Sequence, residues 1–218
     1  MEVSTEDYLK ALFHLQEESG PSVKTNALSE KLHISPSAVT DMLKKLAAKK
    51  YVTYAPYRGV TLTKEGRAIG CNIVRRHRIL ELYLHQKLGY SWDQVHAEAE
   101  QLEHAASDDL IQKMEAALGF PHFDPHGDPI PRIDGTLPVQ SALRLSEGQK
   151  GRDYVVMRVS DLDAQFLHHL SGVGVVLQAK IQIKEILSFD RSLIISVGEQ
   201  THAISYFTAK HIWVAPEG

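Results

Sequence analysis

Nine consecutive residues, 96–104, carry side chains that could bind a divalent metal ion. Their sequence, His-Ala-Glu-Ala-Glu-Gln-Leu-Glu-His, predicts a helix because Ala, Glu, Gln and Leu favour helices and no Gly, Pro or β-branched residue interrupts them. At about 100° per residue, two imidazoles and two carboxylates fall on one face of this helix: His96, Glu100, Glu103 and His104. That combination suits a metal site. By spacing alone, however, a solvated polar face with i,i+4 pairs is the simpler interpretation.

Two other pairs of residues could contribute ligands, and each has an ordinary alternative. His77 and Glu81 are four residues apart in a predicted helix over residues 64–88, so they share a face, but an isolated pair of this kind is commonly a surface hydrogen bond. Asp124 and His126 lie in a proline-rich segment that would project them from a stiff loop, although these residues also fit simple turn chemistry. Neither pair identifies a metal site without support from the rest of the chain.

Composition indicates a globular, intracellular protein of one or two domains. The chain has 218 residues, of which 43% are hydrophobic and 23% charged. No apolar run approaches the roughly 20 residues that span a bilayer, and the acidic, polar N-terminus is unlike a signal peptide. The single cysteine, Cys71, cannot form an internal disulfide, so we expect a cytoplasmic location and no membrane partner.

The charge is unevenly distributed along the chain. Residues 1–76 contain 12 Lys and Arg against 8 Asp and Glu, a net charge of +4, whereas residues 77–218 contain 12 against 19, a net charge of −7. A mildly basic N-terminal part on an acidic body is compatible with a DNA-binding head.

The elements expected in the basic part form a helix-turn-helix. A first helix over 5–19, with Thr5 as its N-cap, precedes a short helix over 25–34. Ser35 and Pro36 then begin a second helix over about 36–50 that directs its lysines outward. Two short helices joined by a tight turn, the second rich in lysine, are typical of DNA-binding domains.

A β-hairpin is predicted directly after this pair of helices. Two β-rich runs in residues 51–63 flank Arg58-Gly59, and Tyr54, Tyr57 and Arg58 would make the hairpin a basic, aromatic wing. The alternative is a small α/β packing module that does not contact DNA. The order of the elements and the lysine-rich helix favour nucleic-acid binding.

The remaining residues predict further helices, a linker and a β domain. Helices are expected at 92–104 and 107–118, and residues 119–138 predict an extended linker because five of the nine prolines lie at 121–138. From residue 139 onward the pattern alternates with period two, which predicts a small β-barrel interrupted by a helix at about 161–170. The expected strands are 153–159, 173–177, 180–187, 192–197, 202–205 and 211–214. His168 and His169 are interpreted as structural residues at the end of that helix.

Six collinear motifs are distributed along the chain. They are Thr-Glu-Asp-Tyr-Leu at 5–9, Ser-Pro-Ser-Ala-Val-Thr at 35–40, Tyr-Arg-Gly-Val-Thr-Leu-Thr-Lys-Glu-Gly at 57–66, Arg76-His77 with Glu81, Val-His-Ala-Glu-Ala-Glu-Gln-Leu-Glu-His at 95–104, and Asp-Pro-His-Gly-Asp-Pro-Ile-Pro at 124–131. Together they resemble the motifs of the diphtheria toxin repressor and manganese transport regulator family. The resemblance covers essentially the whole chain.

This resemblance implies a mainly α fold with a β domain, in three parts. They are a winged helix-turn-helix DNA-binding domain at 1–72, a helical metal-binding and dimerisation domain with a proline-rich linker at 73–138, and an SH3-like β-barrel of the ferrous-transport (FeoA) type at 139–218. Family members are metal-activated dimeric repressors. The implied partners are operator DNA and a second copy of the chain, with no small-molecule substrate.

The resemblance also implies two sets of metal ligands. The first set corresponds to Asp7, Glu100, Glu103 and His104. The second corresponds to His77, Glu81, Asp124, His126 and Asp161, with His96 as a further candidate and with Asp163 and Gln165 as weaker ones.

The implied metal is Mn²⁺, and Fe²⁺ is the alternative. Iron-responsive members place Met and Cys where this chain has Asp7 and Glu100, and hard oxygen donors with one imidazole suit Mn²⁺ better than a soft thiolate does. Two-metal manganese regulators place Glu where this chain has Lys10, whose ammonium cannot bind a cation. Zn²⁺, Co²⁺, Ni²⁺ or Cd²⁺ would substitute in vitro, because affinity alone does not separate these ions.

We predict that the start of the recognition helix and the wing contact DNA. The residues expected to read bases or phosphates are Ser35, Ser37, Thr40, Asp41, Lys44, Lys45 and Arg58.

Two other classes of function remain as alternatives to a metal-dependent repressor. A metallohydrolase is disfavoured because the chain has no H-E-x-x-H, G-x-S-x-G or phosphate-binding glycine loop, and a metal-independent winged-helix regulator would bind DNA in the presence of chelators.

Overall fold

The computed structural model describes residues 4–55, 58–161 and 163–217. They form two compact units, Met1–Arg76 with Pro131–Thr136, and His77–Ile130 with Leu137–Gly218. Tyr57, predicted as part of the wing, lies outside the described residues. Within the described ranges, no helix is both long and apolar enough to cross a membrane.

The first unit contains three helices, a hairpin and the first half of a fourth helix. These elements are α1 (Thr5–Ser19), α2 (Thr25–Leu32), α3 (Pro36–Ala48), β1 (Val52–Ala55), β2 (Gly59–Leu62) and α4 (Lys64–Leu88), of which residues up to Arg76 belong here. The predicted limits of α1 and α4 are confirmed. The cap predicted for α1 is wrong. Ser4, and not Thr5, is the N-cap, because its hydroxyl accepts the Asp7 N–H at 3.1 Å while the Asp7 carboxylate accepts the Ser4 N–H at 2.7 Å.

Both helices of the helix-turn-helix start where they are predicted and end two residues earlier than their sequence patterns predict. Helix α2 stops at Leu32 because His33 adopts a left-handed conformation with φ 54°. Helix α3 starts as predicted, with the Ser35 hydroxyl accepting the Ala38 N–H and Pro36 in the first turn. It ends before Lys50, whose φ of 62° cannot continue a helix.

The wing is fixed to the rest of the first unit by a third chain segment. Strands β1 and β2 pair antiparallel from Val52↔Leu62 to Ala55↔Gly59, and Val23 forms an additional bridge to Val60. Gly59 has φ +91° and packs so closely that a Cβ there would lie 2.6 Å from the Ser22 hydroxyl. The same hydroxyl donates to the Arg58 carbonyl at 3.0 Å, so the backbone of Arg58 is held in place.

Helix α1 is packed directly against the first half of α4. A Cβ on Gly70 would lie 2.5 Å from the Leu9 carbonyl oxygen, which shows how close the two helices come. Arg67 reaches back from α4 to Glu17 at 2.8 Å and lies over the Phe13 ring. The helix that carries Asp7 is therefore attached firmly to α4.

The second unit begins with the remainder of α4 and two further helices, α5 (Val95–Leu102) and α6 (Asp108–Ala117). Ile79, Val95 and Ile111 are among the buried side chains that join them. Helix α5 is shorter than the predicted 92–104, because residues 92–94 form a turn and the chain turns again after Leu102 toward the N-cap of α6. Glu103 nevertheless keeps helical backbone angles, so it stays on the buried face.

The C-terminal part of this unit is an antiparallel β domain, as predicted. Its six strands, in the spatial order β3-β8-β4-β5-β6-β7, are β3 (Leu143–Arg144), β4 (Asp153–Val159), β5 (Lys180–Ile186), β6 (Leu193–Val197), β7 (Gln200–Ile204) and β8 (Ile212–Pro216). Two helices accompany them, α7 (Ala164–Gly172) and α8 (Tyr206–Lys210). Residues such as Tyr154, Ile183 and Val214 form its core.

Apart from shifts of one or two residues at the ends of elements, three details of the β domain differ from the prediction. The strand expected at 173–177 is wrong: Val173 caps α7, Gly174 has φ +75°, and Val175 is buried without pairing in the sheet. Helix α7 starts later than predicted because the Asp163 carboxylate caps it by accepting the Phe166 N–H at 2.7 Å. Strand β3 and helix α8 were not predicted: β3 has two residues, and α8 has five, little more than one helical turn.

The segment predicted to be an extended linker contains a buried turn. The Asp124 carboxylate accepts the backbone N–H groups of His126 and Asp128, at 2.8 and 2.9 Å. Gly127 has φ +87°, and a Cβ there would lie 2.2 Å from the Met157 carbonyl oxygen. The turn is joined to β4 by the N–H of Val159, which donates to the His126 carbonyl at 2.9 Å.

Candidate metal centre

Four potential ligand atoms converge in the second unit, all within 4.8 Å of one another. They belong to His77 and Glu81 of α4, His96 of α5 and Asp161 just after β4. Three of them form a nearly equilateral triangle: His77 Nε2 and Glu81 Oε1 are 2.9 Å apart, His77 Nε2 and His96 Nδ1 are 3.1 Å apart, and His96 Nδ1 and Glu81 Oε1 are 3.2 Å apart. A cation bound at about 2.1–2.2 Å in octahedral geometry places neighbouring ligands roughly 3 Å apart. The triangle therefore matches one face of such a polyhedron.

The hydrogen bonds of His77 leave the correct ring nitrogen available for a cation. Its Nδ1 lies 2.6 Å from Oε2 of Glu103, a fully buried carboxylate that accepts the Nδ1 proton. Nε2 then faces the Glu81 oxygen, and its lone pair becomes available to a cation once the proton between these two atoms has left. Two acceptors at that separation require a positive charge between them, and a carboxylate behind a ligating imidazole is the usual support in metal sites.

A second group of residues surrounds the other oxygen of Glu81. Glu81, Asp124 and His126 bring ligand atoms within 4.8 Å of one another, and all three are buried. His126 Nε2 donates to the Trp92 carbonyl at 2.8 Å, so in the neutral ring the lone pair is on Nδ1. That nitrogen has no hydrogen-bond partner among the residues the structure describes, and it lies 3.9 Å from Glu81 Oε2. A buried lone pair beside two carboxylates is the environment that a bound cation would satisfy, so these residues fit a metal.

The electrostatics of this centre depend on close pairing of opposite charges. Burial raises the pKa of Glu81, but the charge and hydrogen bonds of His77 and His96 outweigh it and lower that pKa well below its ordinary value. Burial lowers the pKa of His96, while hydrogen bonds to Asp161 and Glu81 raise it to about 10. Burial also raises the pKa of Asp124 to about 8, with the nearby Asp128 and Glu81 charges acting in the same direction. Without a metal, protons supply the positive charge that the carboxylates need.

Two arginines and a further aspartate adjoin the centre, and the sequence analysis missed them. Arg78 Nε lies 3.6 Å from Asp124 Oδ2, and Arg78 Nη2 lies 3.5 Å from Asp128 Oδ1. Arg158 reaches the same Asp128 oxygen at 3.3 Å. The only sequence signals were the position of Arg78 next to His77 and the presence of Asp128 in the segment that contains Asp124.

The residues predicted for the first ligand set divide between the two units. Glu100, Glu103 and His104 lie at the end of α5, where Glu103 Oε1 is 3.5 Å from His104 Nε2 and Glu100 Oε1 is 4.0 Å from His77 Nδ1. Asp7 is in the first unit, in the capping box of α1. Of the weaker candidates, Asp163 is used as the N-cap of α7, and Gln165 is exposed in the first turn of that helix.

The predicted DNA-contacting residues lie along α3, from its N-cap Ser35 to Lys45 in its last turn, and on the wing. Ser35, Ser37, Asp41, Lys44, Lys45 and Arg58 are all exposed. Thr40 is half-buried, and its hydroxyl donates to the Pro36 carbonyl at 2.9 Å. Lys44 pairs with Asp41 at 3.2 Å, so part of its charge is already balanced.

Comparison with protein families assigns nearly the whole chain. Residues 1–60 match the iron-dependent repressor N-terminal DNA-binding domain, residues 63–132 match the iron-dependent repressor metal-binding and dimerisation domain, and residues 143–216 match the FeoA domain. A solved manganese-dependent transcriptional repressor in complex with manganese is 38% identical, covers 98% of this chain and 100% of its own, and superposes with a TM-score of 0.91. The chain belongs to the iron-dependent (diphtheria toxin) repressor family.

Curated members of the iron-dependent repressor family differ in the metal that their names indicate. The transcriptional regulator MntR of Geobacillus kaustophilus is 37% identical over 111 residues, which are 51% of this chain and 77% of that protein. The iron-dependent repressor IdeR of Mycobacterium leprae is 28% identical over 194 residues, which are 83% of this chain and 84% of that protein.

Membership in the iron-dependent repressor family confirms the predicted class of function. The protein is a metal-dependent transcriptional repressor and not an enzyme, so both alternatives, a metallohydrolase and a metal-independent regulator, were wrong. Its dimerisation domain binds a divalent metal. Its DNA-binding and dimerisation domains imply operator DNA and a second copy of the chain as partners.

Proposed function

We propose that this repressor responds to Mn²⁺ and switches off genes for metal uptake. The donor set supports manganese, because the residues concerned offer carboxylate oxygens and imidazole nitrogens without a thiolate or thioether. The chain's only cysteine, Cys71, lies in the first unit, where its sulfur is 4.0 Å from the Gly135 carbonyl oxygen.

We assign the ligands to two sites. The first site comprises Asp7, Glu100, Glu103 and His104, and this assignment follows the family resemblance. The second site comprises His77, Glu81, His96, Asp124, His126 and Asp161, whose ligand atoms lie in the two groups that share Glu81. The triangle of His77, Glu81 and His96 atoms is the observation that carries the proposal.

The first site would connect metal binding to DNA binding through α1. Without a metal, the carboxylates of Asp7, Glu100 and Glu103 would repel one another in one pocket. When bound, the cation supplies the positive charge that permits these carboxylates to come together. Because α1 is packed against α4 at Gly70, a displacement of Asp7 carries the DNA-binding head with it.

The switch would act on the spacing of the two heads in the dimer. Two recognition helices must lie about 34 Å apart to enter successive major grooves. To change the ratio of DNA-binding-competent to incompetent dimers from 1:99 to 99:1, metal binding must favour the competent state by about 5.5 kcal/mol. By linkage, operator DNA should tighten metal binding by the same factor that metal tightens DNA binding.

Within each head, we assign DNA contacts to the exposed side of α3 and to the wing. Ser35, Ser37, Thr40 and Asp41 would read bases or position the helix, and the Asp41 carboxylate can accept from cytosine N4. Lys44, Lys45 and Arg58 would contact phosphates.

Fe²⁺ is the second candidate for the physiological metal. The similarity to iron-dependent repressor IdeR over 83% of this chain favours it, and oxygen and imidazole ligands accept Fe²⁺ as well.

A gel-shift titration with a panel of metals tests this function. We expect the wild-type protein to lose operator binding in EDTA, to regain it with Mn²⁺ at a lower concentration than with Fe²⁺ under anaerobic conditions, and to show no rescue when Asp7→Ala is present. Asp109→Ala is the matched control, since Asp109 is an exposed carboxylate of α6 that pairs with Lys113 at 2.8 Å. Operator binding that persists in EDTA, or that Fe²⁺ restores at the lower concentration, would overturn the assignment to manganese.

A further inference from the structure

We infer that Trp92 is a positioning residue for the second metal site, which it serves by holding His126 and by joining that site to helix α7. This inference rests on the proposed second site. Trp92 lies in the turn between α4 and α5, and it offers no ligand atom of its own. Two different parts of the residue, its backbone carbonyl and its indole ring, act on the site.

The carbonyl of Trp92 selects the proton position of His126. It accepts a hydrogen bond from Nε2 at 2.8 Å. In the neutral ring the lone pair is therefore on Nδ1, the nitrogen that faces Glu81. His126 is fully buried, so water cannot replace this contact. If the carbonyl moved away, the ring could place its proton on Nδ1, and that tautomer cannot bind a cation at the site.

The indole ring holds both the imidazole and its own backbone in position. It stacks on the His126 ring with centroids 5.9 Å apart and an interplanar angle of 29°. It also packs against the core of the β domain, and its Nε1 donates to the Ser171 hydroxyl at 2.8 Å. The indole ring is therefore held on two sides, and this restricts the position of the Trp92 backbone carbonyl.

Ser171 connects the C-terminal end of α7 to Trp92 and thereby to the second site. Helix α7 begins at its cap Asp163, two residues after Asp161, and Asp161 Oδ2 lies 3.4 Å from His96 Nδ1. One end of this helix thus adjoins a proposed ligand directly, and the other end reaches the site through Trp92 and His126. Occupation of the second site and the position of α7 should consequently depend on each other.

Three variants separate this role from a general effect on folding. Trp92→Phe keeps an aromatic ring and removes the Nε1 donor, Ser171→Ala removes the acceptor, and the double variant removes both. Ser192→Ala is the matched control, because its hydroxyl also makes an exposed hydrogen bond in the β domain, to Asp190 at 2.7 Å. Electron paramagnetic resonance measures the concentration of free Mn²⁺, and the bound Mn²⁺ is obtained by difference. Thermal unfolding in EDTA reports the stability of each metal-free protein.

We expect both single variants to weaken Mn²⁺ binding at the second site by about tenfold, in the range seen when outer partners of ligating histidines are removed. The double variant should be no weaker than either single one, because both substitutions break the same hydrogen bond. Ser192→Ala should bind as the wild type does, and the unfolding temperatures in EDTA should agree closely.

A spectroscopic measurement complements the binding titration. The chain has two tryptophans, so in a Trp213→Phe background the fluorescence comes from Trp92 alone. We expect it to be quenched as the second site fills, and Ser171→Ala should shift this quenching to higher Mn²⁺ concentration.

The titration tests the second site and the role of Trp92 separately. If the wild-type protein binds no second Mn²⁺, the proposed second site is wrong. If the wild type binds it, but Trp92→Phe and Ser171→Ala bind it equally well, the role of Trp92 is wrong.

Discussion

His77 Nδ1 and Glu103 Oε2 lie 2.6 Å apart, in a contact from which solvent is excluded. The other oxygen of Glu103 lies 3.5 Å from His104 Nε2. Glu103, which we propose as a ligand of the first site, therefore also contacts a proposed ligand of the second site. The two sites should therefore be coupled energetically through this one carboxylate.

Glu103→Gln should weaken the second site as well as the first. The amide keeps the shape of the side chain but loses the negative charge that stabilises the Nδ1 proton of His77. We expect Mn²⁺ affinity at the second site to fall by about tenfold or more, measured by isothermal titration calorimetry. Glu98→Gln, on the same helix, is the control. An unchanged second site in Glu103→Gln would show that the two sites are independent.

The pKa of His96 predicts a steep dependence of metal binding on pH. Burial lowers this pKa, but hydrogen bonds to Asp161 and Glu81 raise it to about 10, so the metal-free protein carries the proton at neutral pH. The proton must leave before Nδ1 can bind a cation. Second-site affinity should consequently keep rising, by up to about tenfold per pH unit, from pH 6 to 8. An ordinary histidine, with a pKa of about 6.5, would give little further increase above pH 7.

Proton release provides the direct measurement. Calorimetry in buffers of different ionisation enthalpy should detect proton release when the second site binds Mn²⁺ at pH 8, and His96→Gln should lower that release by about one proton. Release that is already absent from the wild type at pH 8 would contradict the prediction.

Local sequence signals were sufficient for the elements whose ends are set by neighbouring residues. Helix α1 ends where Gly20 adopts φ 95°, and strand β4 matches its predicted limits of 153–159 because its alternation is regular. The apolar run at 173–177 misled the prediction, since the burial of Val175 arises from the turn after α7 and not from a strand. Periodicity reports burial, and burial alone does not distinguish a strand from a packed turn.

The candidate site was predictable in its residue types but not in its supporting contacts. His77 and Glu81 lie on one predicted helix, so their proximity follows from spacing. The contribution of Trp92 is made by a backbone carbonyl and an indole, and that of Asp128 by pairing with two arginines. Such contacts depend on which segments meet in the folded unit, and no spacing within one segment indicates them.

Lys45→Ala should weaken operator binding in a manner that depends on salt. Lys45 is exposed on α3, and, unlike Lys44, it has no ion pair with Asp41 in the described geometry. Loss of one phosphate contact should reduce the slope of log affinity against log salt by about 1, with similar effects on related operator sequences. Fluorescence anisotropy at several salt concentrations, with Mn²⁺ saturating, gives this slope. Lys113→Ala on α6 is the control, and an equal loss of slope in both variants would remove Lys45 from the interface.

Gly127→Ala should destabilise the second unit more than the same substitution at another glycine with positive φ. Gly127 has φ +87°, and an added Cβ would lie 2.2 Å from the Met157 carbonyl oxygen, which belongs to β4 and cannot move without disturbing the sheet. Gly119 is the matched control, because its φ is +77° and no atom lies within 4 Å of the added Cβ. We expect Gly119→Ala to lower the free energy of unfolding by about 1 kcal/mol through backbone strain alone. Gly127→Ala should lower it by about 3 kcal/mol, because strain and overpacking add. Urea unfolding of the metal-free proteins measures the difference, and equal losses in the two variants would show that the turn at 124–127 is not packed against β4 in solution.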